Sequence, residues 1–210
     1  MGIEETFRVI EIFESLQGEG ANTGMPVVFL RLAGCNLACP WCDTDQSKFE
    51  MLTANQVIEQ ITAFNVKAVI VTGGEPTIHT GLEEVLTRLK GRGYWLGLET
   101  NGMERPPLTW VGLFDYVAVS PKAMFSPLYD DDQMIGEADE VRIVVDGDVG
   151  EFCREIRNRI KAAYYFLSPC ERGGEFNIKE TIELLGQLNA GHRSGRWLLS
   201  LQTHKLAGFR

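Results

Sequence analysis

The sequence predicts an α/β fold of mostly parallel strands, arranged as an incomplete (β/α) barrel. Three observations carry that expectation. From about residue 27 onward, β-rich runs alternate with helical stretches. Most of those runs are continuous in Val, Ile, Leu, Phe and Tyr, as strands buried on both faces require. Unusual polar groups fall just past the C-terminal ends of the runs, where parallel α/β folds build their sites.

The expected strands are Val27–Leu32, Lys67–Thr72, Tyr94–Glu99, Asp115–Ser120, Glu140–Val145, Tyr164–Ser168 and Trp197–Gln202, preceded by an earlier run, Phe7–Phe13. Glu14–Gly20 follows that run as a tight turn. Thr53-Ala-Asn-Gln56 and Thr80-Gly-Leu-Glu83 each read as a capping box opening a helix. Asp148-Val-Gly-Glu151 and Asn177-Ile-Lys-Glu180 are weaker versions of the same device. Apolar residues then recur at helical spacing, as in Val57, Ile58 and Ile61, and in Ile182, Leu184, Leu185 and Leu188. Strand–helix–strand repetition implies right-handed βαβ units. Seven strands in that pattern are too few for a closed eight-fold barrel, and a doubly wound open sheet satisfies the same periodicity. Residues 1–210 read as one domain, with surface loops at 101–112 and 121–138.

A formal net charge of −9 disfavours nucleic acid as a partner, since phosphate-backbone binding needs concentrated Lys and Arg. No stretch approaches the roughly 18 apolar residues that span a bilayer. The first residues lack a basic region followed by an apolar run, so the expected address is the cytoplasm. There, three of five cysteines within eight residues read as metal binding rather than as a disulfide framework.

Cys35-x-x-x-Cys39-x-x-Cys42 supplies three thiolates with no fourth nearby. Structural zinc normally takes four ligands, whereas three thiolates on a 4Fe-4S cluster leave one iron open for chemistry. Cys153, spaced with Phe152 and Ile156, reads as a core residue, and Cys170 at a strand end is not expected to ligate. Six polar clusters lie past strand ends: Gly34–Thr44, Thr72–Pro76, Glu99–Gly102, Ser120–Lys122, Ser168–Glu171 and Gln202–His204. They are expected to share one rim and one large site.

The cysteine spacing, with Trp41 before the last Cys, resembles the radical S-adenosylmethionine superfamily, as does Thr72-Gly73-Gly74-Glu75-Pro76. That resemblance implies a partial barrel whose open iron is chelated by the methionine moiety of S-adenosylmethionine. One electron then releases a 5′-deoxyadenosyl radical. A narrower resemblance covers nearly the whole chain. Glu14–Gly20, Arg31–Leu37, Trp41–Thr44, Glu99–Gly102, Val119–Lys122 and Gln202–Lys205 together resemble the 7-carboxy-7-deazaguanine synthase family.

This second resemblance implies a magnesium-dependent homodimer that converts 6-carboxy-5,6,7,8-tetrahydropterin to 7-carboxy-7-deazaguanine with loss of ammonia, on the way to queuosine. It implies cluster ligation by Cys35, Cys39 and Cys42, and a Mg2+ ligand in Thr44. Leu16, Gln17, Gly18 and Thr72 would contact the pterin, Arg31 would pair its carboxylate, and the terminal carboxylate of Arg210 would meet the substrate. Trp41, Cys42, Asp43, Gly74, Glu75, Ser120, Pro121, Lys122 and Ser168 would line the S-adenosylmethionine site. Ser168 stands where the family pattern has Gln, with shorter reach. A reductase or flavodoxin-type protein would donate the electron. His204 is expected to orient the C-terminal segment without catalysing. A glycyl-radical activating enzyme shares the cluster chemistry but needs neither Arg31 nor Thr44. An electron-transfer or zinc module leaves the six rim clusters unexplained.

Overall fold

The computed structural model describes residues 5–191 and 196–209. The chain divides into two compact units. The first takes residues up to Gln17, Met25–Thr100 and Pro106–Val117; the second takes Gly18–Gly24, Asn101–Arg105 and the chain from Ala118 on.

In the first unit, β1 (Thr6–Leu16), β2 (Pro26–Leu32) and β3 (Glu50–Thr53) lead into α1 (Ala54–Thr62), β4 (Ala68–Gly73), α2 (Leu82–Lys90), β5 (Trp95–Thr100) and the first half of β6 (Tyr116–Val119). The strands lie in the order β5-β4-β2-β1-β3. β2, β4 and β5 are parallel, and β1 is antiparallel to both its neighbours. Alternate residues serve two cores. Val28, Leu30, Leu32, Val69, Val71 and Leu96 join Val57, Ile58, Ile61, Leu82, Val85, Leu86 and Leu89 of the two helices. Val27, Phe29, Ala68 and Ile70 make a second cluster on the other face, with Phe13 and Trp95 packed against it. Burial on both faces is why the strands read as unbroken apolar runs.

Helix starts depart from the sequence pattern in instructive ways. The Thr53 capping box forms in full, with Thr53 Oγ1 taking Gln56 N and Gln56 Oε1 taking Thr53 N. The Thr80 box does not form. Gly81 adopts left-handed φ at 75° and becomes the N-cap, which leaves Thr80 one residue outside the helix. β1 also runs on to Leu16, through three residues expected in the turn, because Glu14, Ser15 and Leu16 keep pairing with Val28, Val27 and Pro26.

The second unit holds the end of β6, then β7 (Glu137–Val145), α3 (Gly150–Arg159), β8 (Lys161–Pro169), a small hairpin of β9 (Glu171–Arg172) and β10 (Glu175–Phe176), α4 (Ile178–Asn189), β11 (Trp197–Leu199) and α5 (Thr203–Ala207). Its strands run β11-β8-β7-β6, all parallel. Cys153 is wholly buried on α3 beside Phe152 and Ile156, and burial pushes its thiol pKa up to about 12, so it is an inert core residue. Asn177 heads α4 without capping it. Its side chain instead accepts from Cys170 N and donates to Val145 O, tying the ends of two strands. On α4, Thr181 takes a buried place beside Leu184 and Leu188, and Ile182, although part of the helical apolar spacing, lies outside at 54% exposure. Among the described residues, no helix is long and apolar enough to cross a membrane.

Candidate active site

A row of polar residues crosses the sheet of the first unit on the face opposite its helices. It starts at a β-bulge between Val9 and Glu11. Val9 belongs to the helix-side core, whereas Phe13 packs on the opposite cluster, so the bulge turns Glu11 and Phe13 toward that other face. Glu11 pairs in register with Arg31 on β2, and Arg31 with Thr72 on β4. Arg31 Nε donates to Glu11 Oε1 at 2.8 Å, and its guanidinium lies 5.9 Å from the Phe13 ring centre. Among the described residues its two terminal nitrogens donate no hydrogen bond. That leaves the planar fork which suits a carboxylate.

Thr72 Oγ1 donates to Glu99 Oε2 at 2.8 Å, and Gln17 Nε2 to Glu99 Oε1 at 3.0 Å. Glu99 thus joins two of the residues expected at the pterin, both of them buried. The sequence leaves Glu99 equally a ligand or a structural partner and allows Arg31 a carboxylate partner, but it names neither Glu11 nor the two side chains that Glu99 joins. The signal for each is strand register, which no short window carries. Leu16, the last residue of β1, is 38% exposed.

The cysteine loop leaves β2 with little regular structure. Cys35 and Cys42 are exposed and Cys39 half-buried, all as free thiols. Leu37 N donates to Cys35 Sγ at 3.4 Å, and Cys42 N to Cys39 O at 3.1 Å. Among the described residues, no three His, Cys, Asp or Glu side chains gather as a metal-binding group. One loop therefore holds the three thiols, without assembling them into a coordination geometry. Trp41, Asp43 and Thr44 lie in the same loop, partly or fully exposed. Gln46 Oε1 accepts from Gly34 N at 2.7 Å and so closes the loop at its base. Sequence reasoning passed over Gln46.

Gly34 also joins this loop to the turn after β4. Gly34 O accepts from Glu75 N at 2.8 Å, and Leu32 O from Gly74 N at 2.9 Å. A Cβ at Gly74 would overlap the Gly34 carbonyl, so that approach requires glycine. The Glu75 side chain is fully buried. Its Oε1 accepts from Thr77 N, Thr77 Oγ1 and Thr100 Oγ1. That carboxylate oxygen thus organises its own turn.

In the second unit, Lys122 Nζ donates to Ser120 Oγ at 2.7 Å, beside the buried Pro121. Tyr129 fixes this loop, its hydroxyl accepting from Lys122 N at 3.0 Å and donating to Asn101 O at 3.1 Å. Ser168, next to last in β8, has a buried Oγ with no hydrogen-bond partner among the described residues. Such a group is costly unless a ligand or water satisfies it. Gly18 is buried, and its carbonyl accepts from Thr203 N and Thr203 Oγ1 at 3.0 and 2.9 Å. Arg210 and His192 lie outside the described residues.

The Radical SAM superfamily model matches residues 30–120, which contain the cysteine loop and the turn after β4. The 7-carboxy-7-deazaguanine synthase of Haemophilus influenzae is 49% identical over 205 residues, covering 98% of this chain and 95% of its own length. That of Neisseria meningitidis serogroup B is 50% identical, covering 96% and 93%. The chain belongs to the 7-carboxy-7-deazaguanine synthase family. The crystal structure of QueE from Escherichia coli shares the fold, an incomplete (β/α) barrel, with a TM-score of 0.67 at 24% identity over 95% of both chains.

Members of the 7-carboxy-7-deazaguanine synthase family are enzymes, and this chain is a radical S-adenosylmethionine enzyme of queuosine biosynthesis acting on a small molecule. The superfamily implies a 4Fe-4S cluster and S-adenosylmethionine. The residues fit both groups. Three free thiols are the soft donors a cluster takes, and one already receives a backbone N–H. The orphaned Ser168 hydroxyl suits a polar ligand.

Proposed function

We propose that the chain converts 6-carboxy-5,6,7,8-tetrahydropterin to 7-carboxy-7-deazaguanine with loss of ammonia. The observation that carries this reading is the polar row of Glu11, Arg31, Thr72 and Glu99, completed by Gln17. Glu11 steadies Arg31 through Nε and leaves the guanidinium fork to pair the substrate carboxylate. Glu99 holds Gln17 and Thr72 in fixed orientations for the pterin, with Leu16 and Gly18 as further contacts. The names of the Haemophilus and Neisseria relatives support the same product.

Cys35, Cys39 and Cys42 would hold the 4Fe-4S cluster, which when bound supplies the electron that breaks the sulfur–C5′ bond of S-adenosylmethionine. Gly74 and Glu75 would present backbone to the methionine moiety, and Trp41, Asp43, Ser120, Pro121, Lys122 and Ser168 would complete that binding. Thr44 would lend its hydroxyl to Mg2+, a hard ion that keeps most of its hydration and shares substrate oxygens. The enzyme would work as a cytoplasmic homodimer, reduced by a flavodoxin-type partner.

Anaerobic turnover of the reconstituted protein with the carboxytetrahydropterin, S-adenosylmethionine and dithionite tests the reading. Formation of 7-carboxy-7-deazaguanine and release of ammonia are expected. S-adenosylmethionine cleavage that never consumes the pterin would overturn it and favour a protein substrate.

A further inference from the structure

A buried ion network in the second unit has no place in the chemistry above. Glu140 and Arg142 on β7 retain only 2% and 8% of their side-chain surface, and Glu19 keeps 20%. Arg142 Nε lies 2.8 Å from Glu140 Oε1, and Arg142 Nη1 lies 3.3 Å from Glu19 Oε2. The other two carboxylate oxygens are taken by the loop and the C-terminal segment. Ala21 N donates to Glu140 Oε2 at 2.8 Å, and Gln202 Nε2 to Glu19 Oε1 at 3.0 Å. Three of the four carboxylate oxygens thus receive a hydrogen bond, and the fourth, Glu140 Oε1, lies in ion-pair contact with Arg142 Nε, so the buried charges are paired.

The loop is shaped to this network. Gly20 has φ of 68°, and a Cβ there would collide with the Glu140 carboxylate. Its amide donates to Ser200 Oγ at 2.9 Å. Two residues of β7 thus hold Glu19 and Ala21, and Glu19 and Gly20 in turn bond Gln202 and Ser200, in the segment whose Thr203 grips Gly18 O. Buried ion pairs are weak contributors to net stability, and specifying one arrangement is a better-attested use for them.

We infer that Glu140 and Arg142 are positioning residues, which lock the Gly18–Gly24 loop to the C-terminal segment and so fix Gly18 for substrate. The link to substrate rests on the reading of Gly18 as a pterin contact; the lock itself does not. Hydrogen exchange on the folded full chain separates the two. In Arg142→Met, amides in residues 18–24 and 200–206 should exchange about 10- to 100-fold faster, the effect of losing a charge-assisted bond to buried partners. Peptides from the first unit should not change, and Arg142→Lys should restore part of the protection. Should Arg142→Met fail to fold, Glu19→Gln removes only the outer link and should accelerate the same amides.

The Michaelis constant for the pterin should rise by a similar factor in these variants. Cleavage of S-adenosylmethionine without pterin should stay as in the parent, which general unfolding would not spare. Unchanged exchange in a folded variant overturns the inference. Faster exchange with an unchanged Michaelis constant overturns the link to substrate. A parent protein that never consumes the pterin overturns the functional reading and leaves the exchange result to decide the lock.

Discussion

Gln17 donates its side-chain amide to Glu99 at 3.0 Å, and the other Glu99 oxygen receives Thr72 at 2.8 Å. One carboxylate therefore sets the orientation of two buried side chains that sequence resemblance places at the substrate. Glu99→Ala leaves both donors without this acceptor. Each unpaired buried group costs roughly 1–3 kcal/mol, so the midpoint of urea unfolding should fall. The Michaelis constant for the pterin should rise as well, because Gln17 and Thr72 are free to reorient. Glu99→Gln keeps the shape and one acceptor oxygen and should lie between the two. Parental affinity in Glu99→Ala would remove the row from the substrate site.

Much of this was legible in the chain, for identifiable reasons. Strands buried on both faces must be apolar throughout, so β2, β4 and β5 stand out. The edge strand Glu50–Thr53 escapes, because four residues with two exposed ones carry no period. The Thr80 and Asn177 caps fail because left-handed Gly81 moves one start and strand ends recruit the other side chain. The cysteines, Gly74 and Arg31 show through residue type and spacing. Glu11, the Glu99 bridge and the Glu140–Arg142 pair depend on a bulge, on register and on partners as far as 123 residues away, which a linear reading does not hold.

Replacement of Cys35, Cys39 or Cys42 by Ala should each abolish iron retention after anaerobic reconstitution, since two thiolates cannot replace three. Cys153→Ala is the control. Cys153 is wholly buried in the core beside Phe152 and Ile156 on α3, so iron content should match the parent. Iron analysis and the visible absorbance of the cluster check both expectations. Full iron content in any one of the three loop variants would falsify the ligand assignment.

Arg31→Ala should weaken pterin binding by roughly 30-fold to several thousand-fold, the equivalent of about 2–5 kcal/mol for a charge pair broken in a desolvated site. Glu11→Gln keeps a hydrogen-bond acceptor for Arg31 Nε and loses only the charge, so its effect should stay within about ten-fold. The cluster spectrum should be unaltered in both. Equal Michaelis constants for Arg31→Ala and parent would leave Arg31 as a partner of Glu11 and nothing more.

His79 links the turn after β4 to pH. Its Nε2 is buried with no hydrogen-bond partner among the described residues. Burial holds its pKa below the ordinary 6.5, against a smaller upward push from a hydrogen bond with the Ala33 backbone, and the positive charge of Arg8 adds the least, also downward. The unfolded chain thus binds this proton more readily than the folded one. The stabilisation is complete above about pH 6.5 and is lost as pH falls through the folded pKa, at no more than about 1.4 kcal/mol per pH unit. His79→Gln does not titrate, so its unfolding free energy should fall less steeply between pH 6.5 and 5. Parallel slopes from urea titrations across that range would show that His79 protonates equally in both states.

Thr44 carries the magnesium expectation. It sits half-exposed in the cysteine loop, and one neutral hydroxyl cannot offset dehydration of so small a cation. If the remaining ligands are water and substrate oxygens, Mg2+ should bind weakly to the free protein and well only with pterin present. Thr44→Val preserves shape and deletes the hydroxyl. It should lower pterin turnover and raise the Mg2+ concentration needed for half-maximal rate, while sparing uncoupled cleavage of S-adenosylmethionine. A plain turn residue predicts the reverse pattern, with a small change in stability and none in Mg2+ dependence. The deciding measurement is anaerobic turnover titrated with Mg2+ for both proteins at saturating S-adenosylmethionine. Superimposable curves would take Thr44 out of the metal site and leave the pterin assignment resting on the Arg31 row alone.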